Sequence, residues 1–135
     1  MASFIFDSST LRKIIDAHVE TIVKSTSVNA FYVTTSQKNE LKTISKGKSS
    51  FAGAFQEVTY DAGNPDGASY QHILSILNDA EENPDNKDNS LLVDMCLLNG
   101  YTLVTENRHL AETAWKYGAR VNNIYEFIKA LKMTA

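Results

Sequence analysis

Phe4-Ile5-Phe6-Asp7-Ser8-Ser9-Thr10 and, far downstream, Tyr101-Thr102-Leu103-Val104-Thr105-Glu106-Asn107-Arg108 share one pattern, a short apolar run that ends in polar residues. Each run reads as a buried parallel strand, apolar on both faces, followed at once by residues able to open a helix. In an open α/β sheet, ligands sit beyond the carboxyl ends of the strands, where the strand order reverses. Two such ends, one carrying Asp7 and the other Glu106 and Asn107, can converge on one site. Taken singly, each is also an ordinary helix N-cap.

Working outward, residues 3–7 read as a strand, and Ser8 or Ser9 caps a helix running to about residue 24. Its apolar stripe is Leu11, Ile14, Ile15, His18, Val19, Ile22 and Val23. Ala30–Thr34 is a second strand, after which Thr35 or Ser36 caps a helix containing Glu40, Leu41 and Lys42. Residues 45–54 are rich in Gly, Ser and Lys and read as a loop or a poorly anchored helix. Residues 55–60 alternate as a third strand would, and residues 61–67 are dense in turn formers. A helix is expected over 68–82 and a break over 83–89. A further helix, Ser90–Asn99, has Gly100 as its C-terminal cap. Strand 101–105, helix His109–Tyr117 closed by Gly118, strand Arg120–Ile124 and a last helix through Lys132 complete the chain. Strands alternate with helices throughout, which predicts a mostly parallel sheet of about five strands flanked by helices. Residues 1–135 are expected to form one domain.

With 43% hydrophobic and 21% charged residues, the composition is that of a folded chain and not of a disordered one. No apolar run approaches the roughly 20 residues that span a bilayer, and without a basic segment followed by a long apolar one no secretory signal is expected. Cys96 is the only cysteine, so no intrachain disulfide can form, which favours a reducing compartment; the cytoplasm is the expected location. A net charge of −3 argues against coating nucleic acid through bulk electrostatics. Local basic positions remain, with Lys38, Lys42, Lys46 and Lys48 close together and Arg12, Lys13 and Arg108 beside the two strand ends.

Asp7, Glu40, Asp88 and Glu106 stand at the starts of predicted loops and helices, and Asp94 lies within the 90–99 helix. Clustered carboxylates repel one another unless a cation neutralises them. Oxygen ligands suit hard divalent ions, Mg²⁺ or Mn²⁺. Such an ion polarises a phosphoryl oxygen and lowers the pKa of a bound water. His18, His72 and His109 lie on separate elements without zinc-like spacing, and no Gly-rich phosphate loop is present. A phosphatase or phosphotransfer protein with Asp7 as nucleophile is the other reading, but its haloacid-type version needs a second Asp where Ser9 stands.

These motifs resemble the PIN-domain ribonucleases. Residues 4–10 are similar to that family's first strand, in which Asp is followed by small polar residues. Residues 35–42 resemble its second helix, whose Glu is the second acid. Residues 89–110 resemble its acid-led helix, glycine, strand and T-x-D/N signature, and residues 121–131 its last strand and helix. The resemblance implies a three-layer PIN-like fold and cleavage of RNA phosphodiester bonds by a water activated on Mg²⁺ or Mn²⁺. Asp7 would be the main metal ligand, oriented by Ser9, and Glu40 would hold the ion or the attacking water. The family's third acid lies eleven residues before the glycine, where this chain has Asn89; Asp88 and Asp94 are the substitutes. The fourth position falls on Asn107, which with Glu106 and Thr105 would orient water or substrate. Arg12, Lys38, Lys42 and Arg108 would contact phosphates. Toxin-type members imply an antitoxin partner, and a homodimer is left open. The amides at Asn89 and Asn107 carry the alternative, a catalytically inactive PIN-like module that binds RNA or protein.

Overall fold

In the computed structural model, residues 2–44, 53–58 and 68–134 are described. The expected loop over most of 45–54, the turn over 61–67 and the end of the third strand lie outside them. The elements are β1 (Ala2–Phe6), α1 (Ser8–Ser25), β2 (Asn29–Thr34), α2 (Thr35–Ile44), β3 (Phe55–Val58), α3 (Ala68–Ala80), α4 (Asn86–Asn99), β4 (Thr102–Val104), α5 (Arg108–Lys116), β5 (Arg120–Asn122) and α6 (Ile124–Thr134). All five strands are parallel, in the order β3-β2-β1-β4-β5.

Side chains on successive strand residues point to opposite faces, so a central strand needs apolar residues throughout. Phe4 and Phe6 of β1, Phe31 and Val33 of β2 and Val104 of β4 pack on one face with Ile14 and Ile22 of α1 and Leu41 of α2. Phe127 of α6 joins them, its ring edge-on to Phe4 at 4.9 Å and to Phe6 at 5.4 Å. Ile5 and Leu103 face the other way, onto Ile73 and Leu77 of α3, Leu92 and Met95 of α4 and Leu110 of α5. Ile5, Leu103 and Val104 are fully buried, as their place in strands covered on both sides requires.

The chain steps from β1 out to β2 and β3, then returns past β1 to β4 and β5. Right-handed crossovers place their helices on opposite faces when the direction of travel reverses. The division of helices between the two faces follows from that, and the reversal falls between β1 and β4.

Helix starts differ from expectation. The cap position of α1 is Asp7, not Ser8 or Ser9, and its side chain makes no capping bond. Thr34, one residue before the expected cap, opens α2. Its Oγ1 accepts from the Gln37 N–H at 3.3 Å, while the Thr34 N–H donates to Gln37 Oε1 at 3.0 Å, a reciprocal capping box. Helix α4 begins at Asn86 and not at Ser90. The buried Asn86 amide donates to Asn78 Oδ1 and the Glu81 carbonyl, both at 2.8 Å, tying the end of α3 to the start of α4. β5 stops at Asn122, because Asn123 and Glu126 exchange backbone-to-side-chain bonds and cap α6. Gly100 and Gly118 take φ values of 72° and 94° just past α4 and α5, as helix-ending glycines do.

Candidate active site

At the reversal point the backbone N–H of Asp7 donates to the carbonyl of Val104 at 3.4 Å, so the ends of β1 and β4 lie side by side. The Asp7 carbonyl accepts from the Leu11 N–H at 2.9 Å, which starts α1 and leaves the carboxylate free of any capping duty. Asp7 is only 4% exposed. The Ser9 hydroxyl donates to its Oδ2 at 3.1 Å, but among the described residues Oδ1 is buried with no hydrogen-bond partner. A buried carboxylate oxygen left without a partner is costly, so it marks a place built for something else.

Asp7 lines a cleft of about 450 Å³. Arg12 of α1 and Glu40 of α2 also line it, and Asp88, Asn89 and Asn107 contribute from the starts of α4 and α5. The starts of four helices thus gather round one strand end, where their unpaired N–H groups favour negative charge. Arg12 Nη2 lies 3.3 and 3.4 Å from the two carboxylate oxygens of Glu40, an ion pair within the cleft lining. Asp88 also bears on Tyr70, whose phenol is pushed above its ordinary range first by burial and then by the Asp88 charge.

Four side chains hold this frame. The buried Gln37 amide donates to the Phe6 carbonyl at 2.8 Å and to Ser8 Oγ at 3.3 Å, linking α2 to the end of β1. Thr10 Oγ1 accepts from the Glu106 N–H, and Thr105 Oγ1 from the Asn107 N–H, each at 3.0 Å. Asn107 Oδ1 accepts from the Leu110 N–H at 3.1 Å, so this residue caps α5 while lining the cleft.

The structure therefore brings Asp7, Ser9, Arg12, Glu40, Asp88, Asn89 and Asn107 to one cleft. Asp94 is buried and does not line it. Thr105, Glu106 and Arg108 line a different cavity, and Arg108 is paired with Glu112 at 3.2 Å. Lys38 does not line the cleft either; its ammonium donates to the Phe55 carbonyl at 2.8 Å, and Lys42 also lies outside the lining. Sequence reasoning missed Ser36, Asn83, Asp85 and Asn86 at the cleft, and the supporting Gln37. Only Gln37 left a readable signal, the Thr-x-x-Gln spacing of a capping box at 34–37.

Among the described residues no three His, Cys, Asp or Glu side chains form a ready-made group around a metal ion. Mg²⁺ retains several waters and is commonly held by only one or two carboxylates. The unpartnered Asp7 oxygen, in a cleft also lined by Asp88 and Glu40, fits that mode of binding.

No family model matches the sequence, and no curated protein matches it. Solved structures do. PAE2754 from Pyrobaculum aerophilum aligns over 98% of this chain and 90% of its own, with a TM-score of 0.62 and 14% identity. A PilT N-terminus domain protein, SSO1118 from Sulfolobus solfataricus P2, aligns over 97% of this chain and 93% of its own, with a TM-score of 0.59 and 14% identity. A chain of VapBC2 from Rickettsia felis, solved bound to a DNA fragment from their promoter, covers 90% of this chain and 98% of its own, with a TM-score of 0.54 and 14% identity. The five-stranded parallel sheet with helices on both faces is the fold of the PilT N-terminus, or PIN, domain.

Proposed function

We propose that this chain is a metal-dependent endoribonuclease. The buried, unpartnered Oδ1 of Asp7 at the reversal point of the sheet carries this reading. Asp7 would hold Mg²⁺ or Mn²⁺, with Asp88 and Glu40 supporting the ion through its waters. When bound, the ion supplies Lewis-acid polarisation of a phosphoryl oxygen and a water of lowered pKa. Ser9, by donating to Oδ2, fixes the carboxylate so that Oδ1 is the oxygen offered. Among the described residues Arg12 is the cation in the cleft lining that can meet a phosphate, exchanging its exposed pair with Glu40 for the substrate. The amides of Asn89 and Asn107 can hydrogen-bond water or ribose without adding charge. The likeness to a VapBC2 chain supports an antitoxin as protein partner, and the single cysteine supports a reducing, cytoplasmic setting. Among the described residues no helix is long and apolar enough to cross a membrane.

Cleavage of a single-stranded RNA in Mn²⁺, by wild type and by Asp7→Asn, tests the reading. The wild type should cut and the variant should not, while remaining folded and at least as stable without metal. Equal cleavage by both refutes the mechanism.

A second reading has its own observation. Glu40 is ion-paired to Arg12, and among the described residues no three carboxylates stand close enough to hold one ion together, as in a module that binds RNA or protein without cutting. Mn²⁺ separates the two, because an ion that binds only the folded state raises the unfolding midpoint. No rise at millimolar Mn²⁺ favours the binding module.

A further inference from the structure

Trp115 is the chain's one tryptophan, and it is 72% exposed. Burying an indole is among the largest apolar gains a fold can make, so one left in water at the wall of a cavity calls for an occupant. The cavity, about 410 Å³, lies on the other side of the β4–α5 turn from Asp7; Glu106 lines it, while the next residue, Asn107, lines the cleft. Val121 of β5 supplies apolar surface. The charged lining is unbalanced, with Glu106, Glu112 and Glu126 against Arg108, and Arg108 is itself drawn to Glu112 at 3.2 Å. Glu126 is fixed in place because its Oε1 accepts from the Asn123 N–H at 2.9 Å.

An aromatic face beside a surplus of carboxylates attracts cations and repels phosphates. We propose that this cavity receives an arginine side chain of a protein partner, its guanidinium laid on the Trp115 indole and met by the carboxylates of Glu106, Glu112 and Glu126. Arginine suits it better than lysine, because the planar guanidinium stacks on aromatic rings and bonds carboxylates through two donors at once. The site is distinct from the Asp7 cleft and does not depend on the nuclease reading.

Since no other tryptophan contributes, emission of the full chain excited beyond the tyrosine absorption band reports on this cavity directly. Titration with a tetra-arginine peptide at low salt should give a saturable change in emission, weaker with tetra-lysine and absent with tetra-glutamate. The double variant Glu112→Gln, Glu126→Gln should bind the arginine peptide about fivefold or more weakly, as loss of charge partners requires. It should keep its far-UV circular dichroism, because the Gln side-chain oxygen still caps Asn123. In Asp7→Asn the response should persist, which separates this cavity from the cleft. Absence of a saturable change, equal binding by the double variant, or loss of the response in Asp7→Asn overturns the proposal. So does a single-stranded oligoribonucleotide that moves the emission where the arginine peptide does not.

Discussion

Arg12 of α1 and Glu40 of α2 lie 3.3 Å apart, so a cation of the protein itself occupies an acid that the cleft would otherwise offer to a metal. Both side chains are substantially exposed, at 56% and 41%, and such pairs contribute only about 0–1 kcal/mol to stability. Arg12→Ala should therefore unfold in urea at nearly the wild-type midpoint. Its thermal midpoint should rise more than the wild type's when Mn²⁺ is added, because Glu40 is released. Its affinity for RNA should fall, with a shallower salt dependence, since one phosphate contact is lost. A smaller Mn²⁺ response would mean that Arg12 holds Glu40 in position for the ion.

Asn89 lines the cleft from the first turn of α4, where the helix dipole favours an anion. Asn89→Asp should leave stability almost unchanged and enlarge the Mn²⁺-induced shift of the thermal midpoint. Isothermal calorimetry should record tighter Mn²⁺ binding, by roughly a factor of ten for each 1.4 kcal/mol gained. Asp94→Asn, away from the cleft, should not alter Mn²⁺ affinity.

Gln37 joins three elements, since it caps α2 through Thr34 and holds the Phe6 carbonyl immediately before Asp7. Gln37→Leu fills a similar volume but strands a buried N–H and a buried carbonyl. It should cost about 2–4 kcal/mol in urea unfolding. Because Asp7 follows Phe6 directly, the Mn²⁺ response should weaken in the same variant.

Cys96 is buried in the core on the α4 side of the sheet, and burial pushes its thiol from 9.0 up to about 12. The unfolded chain thus loses this proton first as pH rises, and deprotonation favours the unfolded state. The resulting stability is full below pH 9 and is lost as pH climbs towards 12. The phenols of Tyr70 and Tyr101, also raised by burial, act in the same direction. Urea midpoints measured across this range should fall less steeply for Cys96→Val than for the wild type. At neutral pH a thiol reagent should label the folded wild type only as fast as it opens.

The two strand ends were legible because β1 and β4 are covered on both faces, which forces the uninterrupted apolar runs at Phe4–Phe6 and Leu103–Val104. Helix-closing glycines at Gly100 and Gly118 were readable for the same kind of local reason, a backbone conformation that other residues resist. The start of α4 was not. Its first turn, Asn86-Lys87-Asp88-Asn89, carries no apolar period, and what fixes it is the Asn86 amide reaching back to α3. The basic positions were harder still. Lys38 ends on the Phe55 carbonyl and Arg108 beside Glu112, and no spacing rule distinguishes a lysine awaiting phosphate from one satisfied by a distant carbonyl. For Asp7 and Glu40 the sequence pointed to the same cleft, but the Arg12 bridge between α1 and α2 emerges only once the helices pack.

A first strand at the centre of the sheet has a consequence for how the molecule assembles. Phe4 pairs with Phe31 early in the sequence but with Thr102 only after most of the chain has been made. During synthesis β1 and β2 can associate while the other edge of β1 is still bare, and a bare edge is where misassociation begins. The Asp7 cleft is completed only when β4 arrives, through the strand pairing whose partners are farthest apart in the sequence. A nascent or truncated chain ending before β4 would carry Asp7 without its neighbour. Long-range pairing of this kind also slows folding, and the chain acquires its cleft as a late event of maturation.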